Sequence, residues 1–147
     1  MDNKLKSKTR LVAIQLVSQQ LVNKENIEYI RDQFDKNYKN KIIDDSNEKI
    51  QYNVNFLAKL IDYYKTINFE NISLEINSLI NFNRSFEKWD TINQAIILVA
   101  ISELRKVDKK KIIIILNDYL EISKSFVTIK DTKLLNFILD KLINDQK

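Results

Sequence analysis

Lys4, Lys6, Lys8 and Arg10 alternate with Leu5, Ser7 and Thr9 at the head of this chain, opposed only by Asp2. Positive side chains grouped in this way neutralise phosphates, and a structured helix behind them fixes where they start. The spacing therefore predicts a flexible basic arm over residues 1–9 that touches a nucleic-acid backbone. A solubilising tail is the alternative, since charge runs are usually solvated. A second cluster, Lys109-Lys110-Lys111, stands just ahead of an apolar segment and reads as the surface of a turn. Carboxylates also pair, as Asp44 with Asp45 and Glu70 with Glu75. Acid–base work needs one such group shifted by burial or by a close charge, and nothing in the sequence supplies either. Solvated helix faces and caps are the expected places for them.

Other chemistry is excluded by what is missing. The 147 residues include no Gly, Pro, Cys or His. Disulfides, thiolate zinc sites and Ser-His-Asp chemistry are absent with their residues. Phosphate loops, dinucleotide fingerprints and nucleophile elbows need glycine for their turns. Lysine-based covalent catalysis needs a desolvated amine, and none is marked. The sequence predicts a protein that is not an enzyme and binds no cofactor. Its net charge of +4 permits an anionic partner without requiring one.

These side chains must be carried by helices. Apolar residues recur at helical spacing: Leu11, Ile14, Val17 and Leu21, then Ile27, Ile30 and Phe34, then Ile50, Val54, Leu57, Ile61 and Tyr64. The pattern predicts helices over 8–23 and 25–36, a polar connection over 37–44, and a long helical region over 46–82 interrupted near Asn68–Asn71. Three more fit 91–106, 110–125 and 132–145. Asp45 with Glu48 resembles a capping box, and Asp90 and Asp131 precede apolar segments. Without glycine, Asn and Asp are the expected helix stops, because they tolerate left-handed geometry. The run Ile112–Ile115 favours a strand locally, but the stripe Ile112, Leu116, Tyr119, Ile122 and Phe126 continues past it at helical spacing. The last helix turns Leu134, Leu135, Ile138, Leu139, Leu142 and Ile143 to one face, which must be buried. The fold class expected is all-α, a single bundle domain over 1–147.

Aromatic rings can stack unpaired bases, so Tyr29, Phe34, Tyr38, Tyr52, Phe82, Trp89 and Phe126 compete between core and site. Most lie on apolar stripes, and Trp89 and Phe126 are expected in the core. The apolar stretch Leu11–Val22 is broken by Gln15, Ser18, Gln19 and Gln20, and no small-residue cleavage site follows it. Ile112–Leu116 falls far short of the roughly 20 residues a membrane span needs. A cytoplasmic protein with no membrane contact is expected.

Taken in order, several segments resemble the NusB family of transcription antitermination proteins. Arg10-x-x-Ala13-Ile14-Gln15 is similar to the family's basic start and its Arg-x-x-Ala-hydrophobic-Gln helix. Asn93 to Leu104 resembles the family's central helix, matching directly at Ala95, Ile96, Ala100, Glu103 and Leu104, with Trp89 just ahead of it. Ile114 to Phe126 and Leu134 to Asp140 resemble its two closing motifs. Residues 24–80 align poorly.

The resemblance implies an RNA-binding factor that pairs with NusE, a ribosomal small-subunit protein, and holds the boxA element of nascent RNA. It further implies a place in the transcription elongation complex, support of ribosomal RNA synthesis, and homodimerisation as another mode of association. On this resemblance the RNA-binding residues are Lys4, Lys6, Lys8, Arg10, Arg84 and Lys133. Ser18 and Leu134 stand where the family carries rings, Phe137 and Val127 where it carries glycine, and Asn93 and Leu98 where it carries an acidic residue and an arginine. A helical interaction or self-association module with weak or no RNA binding is the alternative that these departures suggest.

Overall fold

From Gln94 to Leu104 every residue is buried, polar ones included. A helix that is apolar all round belongs at the centre of a protein. In the computed structural model, which describes residues 1–39, 51–80 and 84–144, this segment is α5 (Thr91–Leu104), the axis of an all-α fold. Around it stand α1 (Asn3–Asn23), α2 (Ile27–Tyr38), α3 (Val54–Lys65), α4 (Phe69–Leu79), α6 (Ile112–Ser123) and α7 (Ile129–Asn144). Short 3-10 turns at Phe86–Lys88 and Lys109–Lys111 precede α5 and α6. No strand occurs among the described residues, as the helical periodicity predicts.

Helix α5 packs against α1, α3, α6 and α7, and α4 leans on α7. Ala95 and Ala100 are fully buried in it, so that neighbouring backbones approach closely. Ile14, Leu57, Ile61, Ile97, Ile101, Ile138 and Leu142 fill one continuous cluster with them. Two hydrogen-bonded pairs fix the direction of α1 along this axis. Ser18 near the end of α1 meets Thr91 at the start of α5, while Arg10 near the beginning of α1 meets Glu103 at the end of α5. The two helices are antiparallel.

Helix ends depart from expectation in a consistent way. Asparagine starts helices here and does not stop them. The side chains of Asn26, Asn53 and Asn68 accept from the backbone N–H groups of Glu28, Phe56 and Asn71, each at 2.8–2.9 Å, satisfying donors that a first turn leaves orphaned. The stop of α1 is instead Lys24, with φ 61°, the one positive φ among the described residues. Its N–H donates to Gln20 O at 2.7 Å. The long helical region predicted from residue 46 is two helices broken at Asn68, and residues 51–53 are not helical. The Asp45–Glu48 capping box, the Asp44–Asp45 pair and Phe82 lie outside the described residues. Helix α7 starts at Ile129, earlier than predicted, because the Thr128 hydroxyl accepts from the N–H of Asp131.

The isoleucine run is helical, with Ile115, Tyr119 and Ser123 turned inward at successive turns. Ile113 and Ile114 consequently stand 71% and 68% exposed. Phe126, expected in the core, is 39% exposed in the turn after α6. Trp89 packs only partly against the core, with its ring edge-on to the buried ring of Phe86 at 5.2 Å between centroids. No helix among the described residues is long and apolar enough to cross a membrane.

Candidate nucleic-acid interface

The predicted flexible arm is the first two turns of a helix. Asp2 caps α1, its carboxylate accepting from the Leu5 N–H at 2.7 Å, so the chain is helical from Asn3. Helical geometry of about 100° per residue separates the alternating cations. Lys4 and Lys8 share one face, and Lys6 and Arg10 share roughly the opposite one. Lys4 is exposed, Lys6 and Lys8 are half-buried, and the Lys8 ammonium donates to Gln51 Oε1 at 2.6 Å.

Arg10 does not belong to the surface. It is 6% exposed, and its guanidinium binds Glu103 through Nε at 2.9 Å and Nη2 at 2.8 Å, and Asp118 through Nη1 at 2.7 Å. The rings of Phe56 and Tyr119 flank it at 5.4 and 5.6 Å. Burial disfavours its charge, but the hydrogen bond and charge of Glu103, with Asp118 adding, outweigh that and hold its pKa above the usual arginine value. The Tyr119 hydroxyl donates to Glu103 Oε1 at 2.6 Å. The Ser7 hydroxyl donates to Asp118, and Thr9 accepts from the N–H of Asn53. The expectation that Arg10 contacts RNA is therefore corrected: its donors are directed into a node that ties α1 to α5 and α6. Glu103, Asp118 and Tyr119 were not singled out from the sequence as its partners, because they lie 93 to 109 residues away in the chain.

At the other end of α5 lies a cleft of about 590 Å³, lined by Arg84, Trp89, Asp90, Asn93, Lys130, Asp131, Leu134 and Leu135. The Trp89 indole N–H donates to the carbonyl of Arg84 at 3.2 Å, which fixes that ring in the wall. Asn93 presents a buried side-chain oxygen, Oδ1, with no hydrogen-bond partner among the described residues. An unpaired acceptor of this kind is costly unless something donates to it. Two cations face two carboxylates here, so the cleft is amphipathic and charge-balanced. Its shape and the ring of Trp89 in its wall suit a planar group such as a nucleobase. Lys133 is exposed on α7 beside Lys130 and Leu134.

The six cations named from the sequence thus fall into separate places. Arg84 and Lys133 gather at the cleft end of α5. Lys4, Lys6 and Lys8 lie toward its far end, about 20 Å away at 1.5 Å per residue over Thr91–Leu104. Arg10 is inside. Lys130 and Asn93 complete the cleft but were not named as RNA-binding residues. Lys130 stands three residues from Lys133 and was recoverable as a neighbour on one helix face.

No curated protein matches the chain. The family model described as the NusB family matches residues 7–144, from the second turn of α1 to the end of α7. With nearly the whole chain covered, and with a helical fold that agrees, this protein belongs to the NusB family.

Proposed function

We propose that this protein is a non-enzymatic cytoplasmic factor that holds the boxA element of nascent RNA together with NusE in the elongation complex, supporting ribosomal RNA synthesis. Membership of the NusB family carries the general role, RNA binding in transcription antitermination. That match over residues 7–144 is the observation on which the proposal rests. The cleft supports it, offering a planar ring and the cations Arg84 and Lys130 at one site. Single-stranded RNA is recognised by splayed bases on rings and polar edges, with lysines neutralising the backbone. In this reading Arg84 and Lys133 contact phosphates at the cleft end, and Lys4, Lys6 and Lys8 add charge along α1. Arg10 positions α1 without touching RNA.

A second reading, a protein-interaction module with little RNA binding, is favoured by exposed Ile113 and Ile114 beside Lys109-Lys110-Lys111. Copurification with NusE, with and without boxA RNA, separates the two. Retention of both partners, with boxA preferred over a scrambled RNA, is the expected result. Retention of NusE with no discrimination between boxA and the scrambled RNA would replace the first reading with the second.

A further inference from the structure

Three aromatic residues are exposed among the described residues: Tyr29, Phe126 and Phe137. Their surroundings differ. Tyr29 shares its helix face with Asp32 and the single cation Lys36, with Glu25 just ahead of the helix. Phe126 lies in a turn next to Lys124, whose ammonium is already bound to Glu121 at 2.8 Å. Phe137, 46% exposed, stands midway along the outer face of α7. Helical spacing places Lys130, Lys133, Leu134, Phe137 and Lys141 within about 100° of arc, with Asp140 about 20° past its edge, where its carboxylate accepts from Asn144. The Lys141 ammonium lies 5.8 Å from the centre of the Phe137 ring. Lys130 and Leu134 on the same arc also line the cleft, so the face continues the cleft along α7.

Isolated exposed apolar residues are ordinary on protein surfaces and need no function. A solvent-facing ring with three lysines along its own helix face is a more specific arrangement. It is the combination that holds single strands, with stacking on the ring and charge along the backbone. Leu134, within the cleft, has no ring, and Trp89 has one edge committed to Phe86.

We infer that Phe137 is a base-stacking platform for single-stranded RNA leaving the cleft, with Lys133 and Lys141 taking the phosphates on either side of the stacked base. The inference rests on the RNA-binding reading above and extends its site along α7. Stacking predicts an effect that depends on bases and not on salt, whereas lysine contacts predict the reverse.

The test titrates the full chain with fluorescently labelled oligoadenylate and with an abasic ribose-phosphate oligomer of the same length. Phe137→Ala should weaken oligoadenylate binding about 5- to 100-fold with its salt slope unchanged, and leave the abasic oligomer unaffected. Phe137→Trp should restore affinity, and Lys141→Gln should flatten the slope while keeping the preference for bases. Equal affinity of wild type and Phe137→Ala for oligoadenylate overturns the inference and leaves the RNA-binding reading standing. Failure of the wild type to bind either oligomer or boxA overturns both. If Phe137→Ala keeps RNA affinity but abolishes self-association or NusE binding, the ring faces a protein and the inference is wrong.

Discussion

The head of α1 and the outer face of α7 both concentrate positive charge, yet they use it in opposite ways. At Arg10 every charged contact is internal: one guanidinium, two carboxylates and a tyrosine hydroxyl are enclosed among α1, α5 and α6. Along α7 the ammonium groups of Lys130, Lys133 and Lys141 are exposed to solvent on one face. The difference lies in what each cation meets when the chain folds. Glu103 rises on the central helix directly opposite Arg10, and arginine's planar fork matches a carboxylate through two bonds. On α7 the neighbouring carboxylate of Asp140 accepts from Asn144 instead, and the three lysines stay in solvent. Basic residues therefore divide into those, such as Arg10, Arg31 and Arg105, that pair with carboxylates and build the molecule, and those on the outer face of α7 that are open to a partner.

Replacing one residue at each region sharpens that contrast most. Arg10→Met leaves Glu103 with a buried charge and half-buried Asp118 without its cation, and breaking such a buried pair costs about 3–5 kcal/mol. Urea unfolding should show that loss, and thermal unfolding a fall on the order of 10 °C. Lys133→Gln, on the open face, should change stability by no more than about 0.5 kcal/mol. Equal small effects at both positions would erase the distinction.

Alkaline pH probes the buried node by another route. Burial first, then the charge and hydrogen bond of Glu103, raise the Tyr119 pKa well above its ordinary value. A group raised in the folded state contributes stability that is complete below its unfolded pKa, near 10, and is lost as pH climbs beyond it. Each such tyrosine steepens the decline by about 1.4 kcal/mol per pH unit. Tyr52, raised by burial and by its bond to Asp35, and Tyr64, raised by burial, act in the same direction. Tyr119→Phe should therefore lose stability less steeply above pH 10 than the wild type, by about that amount per unit. An unchanged slope would remove Tyr119 from the node.

A smaller gain is expected at a site belonging to neither region. Lys24 ends α1 in left-handed geometry, which costs a residue bearing a β-carbon about 1–2 kcal/mol. Lys24→Gly should raise the thermal midpoint by about 2–4 °C, the equivalent of about 1 kcal/mol at this chain length. RNA binding should not change.

Much of the architecture was legible because it is local. Apolar spacing identified the helices, including α6 through its isoleucine run, and the break at Asn68 marked where the long helical region divides. The starts and stops were less legible. Asparagine serves either end on propensity alone, and the choice here follows from which backbone donors needed acceptors. The site was legible only in part. Arg84 and Lys133 were named from motif resemblance, and the structure sets them at one end of α5. Arg10 was misplaced because its partners are distant in sequence, and an arginine at a helix start looks the same whether its carboxylates lie across the core or nowhere. The lysines around Phe137 follow from spacing along α7, but that its ring faces solvent, and that α5 and α7 enclose a cleft, depend on packing that no local pattern encodes.

Whether the open cations at the cleft end touch RNA decides how this surface is used. Affinity for boxA RNA should be measured against salt concentration for the wild type and for a variant carrying Arg84→Gln, Lys130→Gln and Lys133→Gln. Three lost phosphate contacts on a single strand predict a logarithmic slope flatter by about 2, with the fold intact. A variant that remains folded and keeps the wild-type slope would contradict the account.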